Sequence, residues 1–283
     1  MFLVIFLYIA FLAFIGFSLK KAYDFAKMPM HGRWELYPVP KEKGRGEYGG
    51  SYLEETKWYE KPRETSLVAE IIDMAKEIIF IKKLFDNQRP FWWLSYSMHL
   101  GIYAMIAWLV LLFLAVFIDS SLLNGLIALA GGAGIIMVMI GSIGLLIKRM
   151  VNPEFKMYTT GLEYFNLFFL FAVAFTGFLC FITDPMFQYG HDMMGSMLTF
   201  FPFAPSALVT LHLVLAGAVI IYIPLTKMSH YVGKFFSFHK VLWDNDPYLP
   251  GNEIAEKVAA GKSYKQKGQW SAPHYPGNQK IEN

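Results

Sequence analysis

Apolar positions along this chain gather into five long runs without lysine or arginine, over residues 2–19, 91–118, 122–147, 161–183 and 204–226. Each run reaches or approaches the roughly 20 apolar residues that a helix rising about 1.5 Å per residue needs to cross about 30 Å of hydrocarbon. The pattern predicts five transmembrane α-helices and an all-α integral membrane protein. Barrel strands would be about 10 residues long and alternate in polarity, and no stretch here does so. Composition agrees: 55% of the 283 residues are hydrophobic, 17% are charged and the mean hydropathy is +0.37. One or two ordinary soluble domains would carry a charged fraction nearer a quarter.

The polar positions set the topology. All 25 lysines and arginines fall within residues 20–90, 148–160, 227–240 and the tail beyond 240, whereas the connections at 119–121 and 184–203 have none. By the positive-inside rule the N-terminus lies outside and the C-terminus in the cytoplasm. The first run has no basic flank before it and no small-residue cleavage site, and Lys20 and Lys21 follow it. It reads as a retained helix rather than a cleaved signal peptide.

The chain therefore divides into a first transmembrane helix (1–19), a cytoplasmic insertion (20–90), a four-helix core (91–240) and a cytoplasmic tail (241–283). The insertion has a glycine-rich centre, KEKGRGEYGGSY, where little regular structure is expected. It then shows apolar residues at Leu67, Val68, Ile71, Ile72, Ala75, Ile78, Ile79 and Phe85 with Lys and Glu between them. This predicts an amphipathic helix over 66–85, lying in the membrane interface or docking a partner. The tail is polar, contains Trp270 and Tyr275, and is expected to be extended and ordered against a partner.

Chemistry has few residues to draw on. Cys180 is the single cysteine, which excludes an iron–sulfur cluster, a structural zinc site, a disulfide and a covalently attached c-type heme within the chain. Of the seven histidines, His31, His239 and His274 lie in cytoplasmic segments and His191 in the outer connection, and read first as solvent-facing imidazoles. His99, His212 and His230 lie in or at the end of membrane runs, where an ionisable group points to function. His212 and His230 are 18 residues apart, five turns of one continuous helix, so both would project from one face about 27 Å apart along the axis. His99, near the cytoplasmic start of the second run, lies at a depth to face His230. Two imidazoles from facing helices can clamp one heme inside a bundle. The plainer alternative is a set of buried histidines bonded to backbone carbonyls. No Asp, Glu or Arg lies at mid-helix to serve a secondary transporter. Met186, Met193, Met194 and Met197 read as packing or partner contacts rather than copper ligands.

The fifth run, HLVLAGAVIIYIPLTKMSH, resembles the heme-binding helix of the gamma subunit of membrane-bound respiratory nitrate reductases: His at both ends, Leu-Val-Leu and Gly after the first His, and Pro224 twelve residues on. SMHLGIYAMIAWL in the second run is similar to that family's His-x-Gly helix, and the resemblance covers residues 91 to 235. The runs HGRWELYPVP, GGSYLEE and RPFWW look more like the gamma-like membrane subunits found beside heterodisulfide-reductase-like iron–sulfur proteins, including those of sulfate reducers' transmembrane cytochrome complexes.

The resemblance implies a membrane cytochrome b subunit in the cytoplasmic membrane. It places an inner heme b between His99 and His230 and makes His212 one ligand of a second, outer heme. The family supplies that heme's other ligand from the position occupied here by Leu109, which cannot bind iron, so the outer heme is either absent or takes His191 or, failing that, Met105 as a substitute ligand. It also implies a menaquinone site near the outer heme. Here the outer side offers Asp184, Asp192 and His191 as proton acceptors but no Lys or Arg. Implied partners are a cytoplasmic heterodisulfide-reductase-like iron–sulfur protein and a periplasmic multiheme cytochrome c. A quinol or quinone oxidoreductase in its own right and a heme-free membrane anchor are the alternatives.

Overall fold

In the computed structural model, which describes residues 2–28, 56–57, 66–238, 251 and 253–263, four of the apolar runs form unbroken helices. These are α1 (Phe2–Lys27), α4 (Arg89–Ala115), α5 (Ser121–Val151) and α7 (Gly161–Thr183). The fifth run forms α9 (Ala207–Tyr222) and continues as one 3-10 turn over Ile223–Leu225. All five are long and apolar enough to cross a membrane. The protein is an all-α multi-pass membrane protein, with no strand among the described residues. Ile5, Leu12, Val110, Leu129, Ile140 and Phe168 are each more than half exposed, as lipid-facing side chains would be.

The helix ends follow from local chemistry. Thr160 and Glu163 form a capping box at α7, with the Thr160 amide donating to Glu163 Oε2 at 2.7 Å. Ser206 caps α9 by accepting from the Val209 amide at 3.3 Å, and Pro90 occupies the first turn of α4, where a missing N–H costs nothing. Shorter helices complete the described structure: α2 (Leu67–Ile79), α3 (Lys82–Asn87), α6 (Pro153–Tyr158), α8 (Gln188–Thr199), α10 (His230–Ser237) and α11 (Glu253–Ser263).

Neighbouring helices pack in the order α4, α5, α7, α9, α1, giving an open ring whose ends, α4 and α1, have no extended contact. The α4–α5 seam is the tightest. A Cβ added at Gly141 would stand 2.5 Å from the Met98 amide nitrogen, and one at Gly101 would stand 2.7 Å from that of Val138. Glycine is what lets the two backbones approach. On the outer side α8 closes the ring by touching both α4 and α1, and the Tyr8 hydroxyl donates to the Met197 carbonyl. Leu7, Trp108, Leu112, Ile127, Phe187, Tyr189, Met193, Val209 and Leu213 form the core of this half.

Several expectations are corrected. The amphipathic segment 66–85 is two helices, because Ile81 adopts a left-handed conformation (φ 54°, ψ 49°). The break is held from α4: Trp92 Nε1 donates to the Phe80 carbonyl at 2.8 Å and the Tyr103 hydroxyl donates to that of Ile78, occupying carbonyls that the end of α2 leaves without intrahelical partners. Trp92→Phe is expected to lower stability by about 1 kcal/mol, the net worth of one hydrogen bond, read as a lower Tm of the chain in detergent. The outer connection contains the helix α8, which buries Tyr189, Gly190, Met193 and Ser196 along one face. In the tail, expected to be extended, the Glu- and Ala-rich stretch 253–263 is helical. The rest of the tail and residues 29–55 and 58–65 of the insertion lie outside the described residues.

Candidate functional site

The fifth run does not carry His212 and His230 on one continuous helix. Pro224, buried and without an N–H, stands in a 3-10 turn, and Thr226 is extended (φ −121°, ψ −174°). A second 3-10 turn, Lys227–Ser229, leads into α10, of which His230 is the first residue. The five-turn phase argument therefore fails for this pair. His230 owes its direction to the kink.

That kink brings His230 to His99. The two imidazole ring centres are 5.9 Å apart, with their planes at 65°. On α4, His99 Nδ1 is 2.6 Å from the Ser95 carbonyl; on α10, His230 Nδ1 is 3.4 Å from that of Lys227. A carbonyl can only accept, so each Nδ1 carries the proton and each Nε2 is left with the lone pair. This is how metal-binding histidines are usually oriented by their surroundings. Burial pushes the His230 pKa down, and nearby Lys234 adds to this against the opposing pull of the Lys227 carbonyl; the neutral, ligating form is thereby favoured. Imidazole nitrogens bind metals at about 2 Å, so two rings on opposite sides of one metal have centres about 6 Å apart. The observed separation is of that size, so His99 and His230 are the residues that would hold a heme here. The plainer alternative accounts for the carbonyl bonds and takes the meeting of the two rings as an edge-to-face packing contact.

His212 has different surroundings. It is buried on α9, with Nδ1 3.2 Å from the Thr176 hydroxyl, which itself reaches the Ala172 and Val173 carbonyls at 3.0 Å each. Its ring packs on Gly177, where a Cβ would stand 2.8 Å from His212 Cε1, and meets Tyr189 edge to face at 6.4 Å. Leu109 on α4 is 40% exposed. Met105 sets its sulfur against Gly134 of α5. His191 lines an outer cleft of about 640 Å³ together with Asp184, Tyr189, Asp192, Ser206 and Val209, and among the described residues no hydrogen bond or ring contact joins it to His212. The space on the α4 side holds Trp108 and fully buried Phe187, whose rings meet at 5.2 Å. His99 and His230 are thus the pair that would hold a heme. His31, His239 and His274 lie outside the described residues.

Sequence reasoning missed the buried Glu77, whose carboxylate pairs with Lys234 Nζ at 2.8 Å one turn beyond His230. The available signal was a lysine four positions after a histidine. No protein-family model and no curated protein matches the chain.

Proposed function

We propose that the chain is a membrane cytochrome b subunit of an anaerobic respiratory complex, linking an outer donor or acceptor to a cytoplasmic heterodisulfide-reductase-like iron–sulfur protein. The observation that carries this reading is the facing of His99 and His230 on two separate helices, each ring fixed through Nδ1. A heme b bound there supplies one-electron oxidation and reduction. The chain's own residues orient the two imidazoles through backbone carbonyls, and burial favours the neutral form of His230. His99 lies ten residues into α4, about 15 Å along its axis at about 1.5 Å per residue, on the side of the topology assigned to the cytoplasm. The reading places the protein in the cytoplasmic membrane.

A second reading is quinol or quinone oxidoreductase activity in its own right, and the outer cleft favours it. Asp184, His191 and Asp192 line that cleft and can take protons, and Tyr189 lies between it and the His212 ring. Menaquinone would be the substrate class, and a periplasmic multiheme cytochrome c would be the alternative outer partner. Inhibition of the intact complex by a quinone analogue, abolished by Asp192→Asn, would favour this second reading.

The purified chain is expected to show a b-type alpha band in its reduced-minus-oxidised spectrum, with one heme per chain by pyridine hemochrome. His212→Ala is expected to retain that band. A chain without a b-type band would be a heme-free anchor.

A further inference from the structure

The two histidine-bearing elements, α4 and α10, have no extended packing with each other. One face of α10 is held by α1, through the Phe14–Tyr231 stack at 5.8 Å and the Phe25–Phe236 contact at 5.9 Å. These contacts fix α10 on α1 but leave open its distance from α4. That link is made by the helix pair α2–α3. On the α4 side, Trp92 and Tyr103 bind the end of α2, and Phe80 packs on Trp92 at 4.9 Å and on Tyr96 at 5.5 Å. On the α10 side, Glu77 pairs with Lys234, and Phe238 at the end of α10 is buried with Ala69 and Met74 of α2.

The polarity of α2 is inverted for a helix docked on a protein. Leu67, Val68, Ile71 and Ile79 are more than half exposed, whereas Glu77 is 4% exposed. The apolar face is left for lipid and a carboxylate is turned inward. Burying a carboxylate is costly unless it is paired and hydrogen-bonded, and both needs are met: one Glu77 oxygen takes Lys234 Nζ at 2.8 Å, and the other accepts the Lys83 amide at the start of α3. Lys234 is four residues after His230, so both project from one face of α10. A tether at Lys234 therefore fixes the rotation of α10 about its axis and the direction of the His230 ring.

We infer that Glu77 and Lys234 are positioning residues for the histidine pair: through them the helix pair α2–α3 acts as a bracket that sets the separation and mutual angle of the His99 and His230 rings. The inference rests on the cytochrome reading for its spectroscopic consequence but not for its geometry. Two readouts on the full chain in detergent keep these apart. The first places spin labels at Trp93→Cys and Phe235→Cys in a Cys180→Ala background and measures the distance between α4 and α10 without regard to cofactor. Glu77→Gln and Lys234→Met are each expected to broaden that distribution, and the charge-swapped Glu77→Lys, Lys234→Glu double variant to narrow it again. The second is the low-spin bis-imidazole EPR signal. Each single variant is expected to lose it by roughly twofold or more, with a high-spin signal in its place, and the swap to recover it, as coupling between contacting residues requires. Unchanged label distances in both single variants, or a swap that recovers neither readout, would overturn the bracket. A parent chain that lacks the low-spin signal while its single variants still broaden the distances would support the bracket and remove the cytochrome reading.

Discussion

His99→Ala is expected to abolish the b-type heme of the purified chain, and His230→Ala to abolish the same one. The expectation follows from the facing of the two rings at 5.9 Å from different helices, since neither α4 nor α10 offers a second imidazole at that depth. Losing a partner in the outer shell of a metal site already costs about 10- to 100-fold in affinity, and losing a ligand itself exceeds that. Two features make the result diagnostic. Added imidazole should restore part of the low-spin spectrum in either variant, because the truncated side chain leaves a space of the ligand's shape. His212→Ala, treated identically, should keep the heme. A chain that retained its full b-type spectrum without His99 would show the pairing to be wrong.

Gly141→Ala is expected to destabilise the protein by about 1–3 kcal/mol, the usual cost of overpacking, and to reduce heme content with it. The new methyl would lie 2.5 Å from the Met98 amide nitrogen, 2.7 Å from Met98 Cβ and 2.8 Å from the Leu94 carbonyl oxygen. Two of these three atoms are backbone, so no rotamer change relieves the clash and α4 must move away from α5. Met98 immediately precedes His99, so the displacement falls on the ligand. Gly125→Ala is the matched control on the same helix, with nothing within 4 Å of its added methyl, and should leave both Tm and heme content unchanged. Thermal unfolding in one detergent and pyridine hemochrome on the same samples measure both effects.

The membrane spans were legible because hydrocarbon asks a sequence for length and apolarity, and the five runs supply both without ambiguity. The meeting of His99 with His230 was legible too, though through depth and not through helical phase. The phase argument assumed an unbroken fifth helix, and Pro224 with extended Thr226 breaks it. Local pattern could not reveal the left-handed Ile81, because a β-branched residue avoids that conformation and only the contacts made by Trp92, Tyr103 and Glu77 hold it. Helix α8 was hidden for a related reason. Gly190, Gly195 and the polar side chains of His191, Asp192, Ser196 and Thr199 weaken its local propensity, and its face forms against Trp108 and Leu112 of a distant helix. Glu77 was the hardest to read, since the inward face of α2 is its polar one.

The close-packed outer half has an electrical consequence. Trp108, Leu112, Phe187 and Tyr189 fill the interior between α4, α5 and α8 with side chains that are at most 7% exposed. An apolar layer of this kind supports a voltage, and 100 mV across it acts on one elementary charge with about 2.3 kcal/mol. In the proposed topology the histidine pair would lie on the cytoplasmic side of that layer and stand close to the cytoplasmic potential. Under the proposed function, a membrane voltage would thus weigh on charge exchanged with the outer face far more than on charge exchanged on the side of the histidine pair.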